Sequence, residues 1–284
     1  MRFLYFSLLL SFFFSPAAIT QIADNEEIIE PIVDTVEFNI PDIRIKEILN
    51  FPNYIEFPDL LKGHENEALS YVESFAKRRK DYLIRTYNKD LVFSQKILPI
   101  FNQFNVPSEL RVLMALESAY NANARSRAGA VGYWQFMDRV AKEYGLKVPQ
   151  VKFSKQKTKK GKTRVVKKVI GKKDDRKDFF KSTYAAARYL HDRRRDLNDD
   201  WLLIVASYNY GVGNVWNAMT RCKKENPTFW DIKDLLPAET RSYVMNFIAL
   251  NVIFHNYEKF INDELIYSVL PVYNTSYEIE KKSF

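Results

Sequence analysis

Glu117 stands where an apolar side chain would be expected. Val106, Leu110, Leu113, Met114 and Leu116 recur at helical spacing ahead of it, and Pro107-Ser108-Glu109 reads as a helix start. Glu117 falls on the next step of that stripe, seven residues after Leu110 and four after Leu113. A carboxylate there points toward the core. Partial burial disfavours its charged form and raises its pKa, which a general acid working near neutral pH requires. From position alone the ordinary reading carries more weight: a helix-edge Glu with its head in water, because Glu is almost never fully buried unless paired. The residues C-terminal to the acid shift the balance. Ser118 through Arg127 is rich in Asn, Ser and Ala and reads as a polar loop, and Gly129 and Gly132 flank a small-residue turn. Tyr133-Trp134-Gln135-Phe136-Met137 then combines flat aromatic faces, which stack on sugar rings, with an amide suited to hydroxyl and N-acetyl groups. A core helix start could also hold Trp and Phe.

The elements that must position these residues are helical. One helix is expected from roughly Glu65 to Arg79, with Leu69, Val72, Phe75 and Ala76 on one face. A second runs from roughly Lys89 to Phe104, with Leu91, Ile97, Leu98 and Phe101 inward. Ser182-Thr183 reads as the cap of a helix from Tyr184 to Leu197, with Ala186, Tyr189, Leu190 and Leu197 facing in. Asn198-Asp199-Asp200 starts another, whose stripe is Trp201, Ile204, Val205 and Tyr208. It stops at Asn209-Tyr-Gly211-Val-Gly213, where Gly supplies a left-handed cap. Tyr208 and Asn209 thus sit on a last turn beside open backbone. Pro237-Ala-Glu239-Thr240-Arg241-Ser-Tyr243 opens the last long helix, with Tyr243, Phe247, Leu250 and Phe254 as its buried line. A Glu at position 239 is also simply favourable at a helix N-terminus.

Around this core the chain changes character. Met1-Arg2, an apolar run from Phe3 to Phe14, and small residues in Ser15-Pro-Ala-Ala-Ile-Thr20 read as a secretory signal peptide over residues 1–20. The run is short of the ~20 residues that span a bilayer comfortably, so cleavage is preferred to an uncleaved anchor. Residues 21–60, acidic and then Pro-punctuated, form an extended leader, and residues 263–284 alternate apolar and polar as a tail. Residues 61–262 are left as one domain. From Lys152 to Lys177 there are 13 Lys or Arg against two Asp, a local charge of +11 in a chain whose total is +8. Everything else therefore sums to −3, and the basic balance belongs to this segment rather than to the fold. Lys159-Lys160-Gly161-Lys162 suggests a β-hairpin with a Gly turn. Nucleic acid is the reflex reading of such a run, but aromatic interleaving is nearly absent and a signal peptide leads away from the genome. A surface that binds an anionic polymer by charge and a merely solvated hairpin remain equally good readings. Cys222 is the single cysteine, which excludes an internal disulfide. With none near the cleavage region, a lipid anchor is not expected. His64, His191 and His255 have no ligand spacing, and nothing resembles a nucleotide loop, a zinc cluster or a Ser-His-Asp arrangement, so no metal and no cofactor are expected.

The stretch Glu117-Ser118, Asn121, Asn123, Ala124, Ser126, Ala128-Gly129-Ala130 and Gly132-Tyr-Trp-Gln-Phe-Met137 resembles the soluble lytic transglycosylase (SLT) domain of the goose-type lysozyme-like superfamily, and more closely its membrane-bound lytic murein transglycosylase D branch. Tyr133 replaces the usual Leu. Ala206-Ser-Tyr-Asn-Tyr-Gly-Val-Gly213 is similar to that family's Ala-Tyr-Asn-Ala-Gly-x-Gly motif, Glu239-Thr-Arg-Ser-Tyr243-Val to its Glu-Thr-Arg-x-Tyr-Val signature, and Asp175-Arg-Lys177 with Lys181-Ser-Thr183 to its Asp-x-Arg-Lys-Ser-Thr signature with Asp-Phe-Phe inserted. The resemblance implies a mainly α, lysozyme-like helical domain carrying a small basic β-hairpin insertion at 152–177. It implies Glu117 as the catalytic acid, with Ser118, Gln135, Phe136, Met137, Tyr208, Asn209, Glu239 and Tyr243 binding or orienting substrate. On the same ground Tyr208 bonds the acid or the sugar at the scissile bond, and Arg241 braces its helix.

Most glycosidases use two carboxylates, and the motifs here contain one well-placed acid. The resemblance implies cleavage of the MurNAc-GlcNAc β-1,4 bond of peptidoglycan with closure of a 1,6-anhydro ring, a reaction that consumes no water. Two rivals stand beside it. One is a hydrolytic muramidase with Glu239 as the second carboxylate. The other is a non-catalytic peptidoglycan-binding protein, against which the intact Glu117 argues. The expected partner is peptidoglycan glycan strands, with no nucleic acid. The expected location is the periplasm or cell envelope after export across the inner membrane.

Overall fold

The computed structural model describes residues 53–157, 163–171 and 173–268. The signal peptide over 1–20, the leader up to residue 52, the turn of the hairpin and the tail from 269 onward lie outside the described residues. Ten helices and one pair of strands make up the described chain: α1 (Glu65–Arg78), α2 (Lys80–Gln103), α3 (Leu113–Ser118), α4 (Asp138–Glu143), β1 (Gln150–Lys157), β2 (Thr163–Ile170), α5 (Phe179–Asp196), α6 (Trp201–Tyr210), α7 (Val212–Cys222), α8 (Phe229–Ile232), α9 (Ala238–His255) and α10 (Tyr257–Ile261). The mainly helical expectation holds, and so does the antiparallel hairpin inside the basic insertion.

The helix α9 is the axis of the core. Every residue from Phe247 to Phe254 is buried, which marks a helix surrounded by others rather than laid on a surface. It packs against α1, α3 and α6. The helix α1 presents Ala68, Val72, Phe75 and Ala76 to the interior at helical spacing, and Tyr71 donates from its hydroxyl to Asn246 Oδ1 across the α1–α9 contact at 2.7 Å. Full burial of a Val, Leu, Ile or Phe side chain stabilises by about 1.5–3 kcal/mol, and most of the interior of α9 is of this kind.

Three helices differ from expectation in instructive ways. The helix α2 begins at Lys80 rather than Lys89, and its inward line runs Leu83, Thr86, Asp90, Ile97, Phe101. Leu91, expected inward, is 47% exposed and Leu98 is half-buried. A carboxylate, Asp90, takes the core-facing position one residue earlier. The helix α5 begins five residues before its expected start, because Asp178 is the cap: its side chain accepts from the Lys181 amide at 3.1 Å. Ser182 and Thr183 are not caps. Both are fully buried in the second turn, where Ser182 Oγ donates to the Asp178 carbonyl at 2.6 Å. Finally, α7 follows α6 with only Gly211 between them, at φ 84. The paired turn glycines hid this helix from the periodicity.

The chain ends nearest the domain are tied together. Ile55 donates its amide to the Ile266 carbonyl at 3.0 Å, and the Ile266 amide donates to the Asn53 carbonyl at 2.8 Å. Ile55 and Phe57 are buried. The hairpin is in register from Gln150 opposite Ile170 to Lys157 opposite Thr163. Its base is clamped by paired bonds between Lys147 and Asp175, amide to carbonyl at 2.8 Å and amide to Oδ2 at 3.1 Å. The insertion therefore is not one solvated unit over 152–177. Asp175 and Arg176 are buried parts of the domain, while the described hairpin side chains are exposed, Val166 alone being half-buried. Among the described residues no helix is long and apolar enough to cross a membrane.

Candidate active site

Glu117 lies on the last turn of α3. A 3-10 turn from Ser108 to Val112 leads into that helix, and Leu110, Val112, Leu113, Met114 and Ala115 anchor the two in the core. The helix then ends abruptly, because Ala119 (φ 49) and Tyr120 (φ 63) are both left-handed. Each such non-glycine residue costs roughly 1–2 kcal/mol, so neighbouring bonds must hold the turn. The Tyr120 hydroxyl donates to Asp90 Oδ1 at 2.9 Å, and Arg111 Nε donates to Asp90 Oδ2 at 2.9 Å. Lys89 Nζ donates to the Ala119 carbonyl at 3.1 Å. Ser118 Oγ donates to the Tyr133 carbonyl at 2.8 Å and accepts from the Asn121 amide at 3.2 Å. A pair such as half-buried Arg111 with buried Asp90 adds little net stability but is costly to break; here it fixes the geometry of the turn that carries the acid. Asp90, Arg111 and Tyr120 were not singled out from sequence. The inward line of α2 would have exposed Asp90 had that helix been started at Lys80.

Glu117 is buried, 4% exposed as a residue. Its one described partner is the Tyr243 hydroxyl of α9, which donates to Oε1 at 2.6 Å. Burial raises its pKa to about 8, and the Tyr243 bond offsets only part of that shift. Burial, followed by the nearby Glu117 charge, also pushes the Tyr208 and Tyr243 hydroxyls well above their ordinary range. At neutral pH the group is thus an uncharged acid beside uncharged phenols, the protonation state of a proton donor.

The remaining expected site residues fall into two sets. Tyr243 touches the acid directly. Tyr208 bonds elsewhere: its hydroxyl donates to the Trp134 carbonyl at 2.8 Å, so of the two partners expected of Tyr208, the acid or the sugar, the acid is bonded instead by Tyr243. Asn209 joins the end of α6 to the start of α9, its Oδ1 accepting from Thr240 Oγ1 at 2.9 Å. Glu239 is exposed on the first turn of α9, and Arg241 braces that turn by donating to the Leu236 carbonyl at 2.8 Å.

The aromatic run after the acid faces the core more than a ligand. Trp134 is fully buried, and its Nε1–H donates to Thr183 Oγ1 at 3.1 Å. Phe136 is buried with its ring 6.2 Å from Tyr189 and 6.4 Å from Tyr208. Gln135 is left-handed (φ 48) and spends its amide N–H groups on the Gly132 carbonyl at 2.7 Å and the Ala124 carbonyl at 3.2 Å. Tyr133 and Met137 are half-buried. Stacking faces and a free amide are therefore replaced by a self-braced loop that walls the acid.

Arg176 holds that loop from outside. It donates to the Phe136 carbonyl at 3.2 Å, forms an ion pair with Asp138, and grips Asp174 with Nε and Nη2 at 2.8 and 2.7 Å. Lys177 Nζ donates to Asn123 Oδ1 at 2.9 Å. Gly132, at φ 84, lies so close that a Cβ on it would stand 2.0 Å from the Arg176 carbonyl oxygen. Among the described residues no group of three or more His, Cys, Asp or Glu could hold a metal ion.

The acid and the loop beyond it fall within the segment that matches a known family model. Residues 102–229 match the Transglycosylase SLT domain family model. The chain is 30% identical over 198 residues to "Membrane-bound lytic murein transglycosylase D" of Escherichia coli (strain K12), an alignment that takes in 69% of this chain and 39% of that protein. It is 28% identical over 130 residues to a protein of Alteromonas sp. (strain M-1) named for tributyltin chloride resistance, covering 45% of this chain and 53% of that one. The solved structure of an inactive mutant of the lytic transglycosylase Slt from Pseudomonas aeruginosa overlaps 57% of this chain and 24% of its own, at 19% identity and a TM-score of 0.42. The chain thus spans about two fifths of the length of its Escherichia coli relative. It is over residues 102–229, from the end of α2 through the acid's helix and the loop beyond it to the start of α8, that this chain is similar to transglycosylase SLT domains.

Proposed function

We propose that the protein is a lytic murein transglycosylase that cleaves the MurNAc-GlcNAc β-1,4 bond of peptidoglycan and leaves 1,6-anhydro-MurNAc ends. The observation that carries this reading is the buried carboxyl of Glu117 with a phenol hydroxyl as its partner, in surroundings that push its pKa up to about 8. The carboxyl O–H protonates the glycosidic oxygen as its bond to C1 breaks. The sugar's own 2-acetamido oxygen stabilises the positive charge on C1, as in substrate-assisted glycosidases. The Glu117 carboxylate then takes the proton from the C6 hydroxyl of the same sugar, whose oxygen bonds to C1. The acid is regenerated and no water enters. Tyr243 matters most in the middle of the cycle, when its hydroxyl donates to a charged carboxylate; bonds of that kind are worth about 1.5–3 kcal/mol.

Murein is the polymer that the Escherichia coli relative is named for, and it supplies both the acetamido group and the C6 hydroxyl that a single-acid mechanism needs. Residues 61–262 serve as the catalytic domain in this reading, with 1–20 as the export signal, and the protein acts in the periplasm or at the cell envelope. Ser118, Gln135, Phe136, Met137, Tyr208 and Asn209 shape the wall of the cleft, and Glu239 orients substrate at its rim.

Solubilisation of purified sacculi across pH tests this site. Glu117 must be protonated to act, so the rate is expected to fall as pH rises through about 8. Removing the Tyr243 hydroxyl deletes the contact that lowers the pKa of Glu117. Tyr243→Phe is therefore expected to move that falling limb to higher pH and to slow cleavage below it by about tenfold or more. A variant with unchanged rate and an unmoved limb would separate Tyr243 from the chemistry.

A further inference from the structure

We propose that the basic hairpin and the groove at its base form one binding surface for the carboxylate-bearing peptide stems of the substrate strand, an inference that rests on the murein reading above. From Gly145 to Lys173 the chain holds twelve Lys or Arg and no acidic residue. Lys152, Lys155, Lys157 and Arg164 are exposed, and among the described residues none of the four makes an ion pair. The strand register sets Lys152 directly opposite Lys168. Cations this dense along one short ladder repel one another, and the described hairpin side chains, nearly all exposed, supply little packing in return. A polyanion reverses the sign of that repulsion.

The groove beside the hairpin base adds a second kind of contact. It is lined by Tyr144, Lys147, Phe180, Lys181, Tyr184 and Arg188. Phe180, Tyr184 and Arg188 follow one another at steps of four on α5 and so share one face. Phe180 is 57% and Tyr184 40% exposed. Lys181 is already paired with Asp175 at 2.9 Å, which leaves Lys147 and Arg188 as the open cations, the Arg188 guanidinium 5.7 Å over the Tyr144 ring. Cations for carboxylates beside aromatic faces for short aliphatic side chains suit an acidic peptide better than a bare sugar chain. The location fits as well. The segment that closes the hairpin is bonded to the loop walling Glu117, through Arg176 to the Phe136 carbonyl and Lys177 to Asn123. The hairpin base and the loop that follows the acid's helix are thus joined by direct bonds.

The test is equilibrium binding of the full chain to three probes: intact sacculi, glycan strands stripped of stems by an amidase, and the soluble stem peptides alone. Glu117→Gln is the background for the two glycan probes, so that no probe is consumed. The hairpin variant replaces Lys152, Lys155, Lys157 and Arg164 with Gln, and the groove variant combines Phe180→Ala with Arg188→Gln. Each is expected to weaken binding to intact sacculi and to stem peptides about tenfold or more at low salt. The difference should close near 1 M salt, where charges are screened beyond about 3 Å. Binding to stripped strands and the thermal transition should stay unchanged. Undiminished binding to intact sacculi would overturn the proposal, as would equal losses on stripped and intact strands. So would stem binding that emerges only when residues 21–52 are deleted, which would make that acidic segment the occupant. Binding needs no turnover, so stem-dependent affinity in a protein that cleaves nothing would sink the proposed activity and leave this surface standing.

Discussion

Glu117→Gln is expected to lower sacculus cleavage by about 10²–10⁴-fold, the usual cost of losing a general acid, while the protein becomes more stable at alkaline pH. The substitution keeps the shape of the side chain and an oxygen that can still accept from Tyr243. Only the titrating proton goes. In the folded chain Glu117 titrates near 8, against 4.5 for an ordinary Glu, because burial penalises its charge. Between those values the folded state holds one more proton than the unfolded state. Wild-type stability contributed by this group is therefore complete below about pH 4.5 and is lost as pH rises to 8. Gln does not titrate. The advantage of Glu117→Gln in denaturant or thermal unfolding should be small at pH 4 and grow to about 3–5 kcal/mol at pH 8 and above. A pH-independent difference would mean that the carboxyl is not held uncharged by the fold.

Among the described glycines, Gly132→Ala should be the most damaging alanine substitution. The residue has φ 84, which an L side chain adopts only under strain, and the new Cβ would meet the Arg176 carbonyl oxygen at 2.0 Å. Neither partner can yield cheaply. The loop is pinned by Ser118 to the Tyr133 carbonyl and by Gln135 to the Gly132 carbonyl, and Arg176 is buried with both ends of its guanidinium engaged. Left-handed strain and overpacking each cost on the order of 1–3 kcal/mol, so a loss of about 3 kcal/mol or more is expected in chemical denaturation. Gly129 is a contrasting control at the same φ sign, since a Cβ there meets nothing within 4 Å. Gly129→Ala should cost only the backbone term, about 1–2 kcal/mol. Equal effects at the two positions would show that the Gly132–Arg176 contact does not constrain the loop.

Much of this arrangement could be read from residue order, and its failures share a cause. Helical periodicity located α1, α6 and α9 and set Glu117 on an inward step of α3, because apolar side chains mark those faces. It misplaced the start of α2, since Leu83, Thr86 and Asp90 share the buried face and two of the three are polar. Leu91 then attracted the inward assignment that Asp90 holds. It misplaced the start of α5 because Ser182 and Thr183, good caps by type, are buried by contacts to Asp178 and Trp134 that are distant or invisible in a linear pattern. The acid itself was legible as a Glu on an apolar stripe. Its partner was not: Tyr208 and Tyr243 are both aromatic residues on inward faces, and only three-dimensional packing decides which hydroxyl reaches Glu117 and which reaches the Trp134 carbonyl. The same holds for Trp134, Gln135 and Phe136, whose residue types suit a sugar as well as a core.

The most direct test of the proposed reaction is the chemistry of the ends it leaves. Purified sacculi are digested in heavy-oxygen water, and the released muropeptides are analysed by mass before and after borohydride treatment. Ring closure by the C6 hydroxyl predicts muramic ends lighter by one water, resistant to reduction and free of heavy oxygen, with this product still formed by Glu239→Gln because that residue stands exposed on the first turn of α9. Reducible ends that carry the heavy-oxygen label, lost together with activity in Glu239→Gln, would contradict the account and establish a two-carboxylate muramidase in its place.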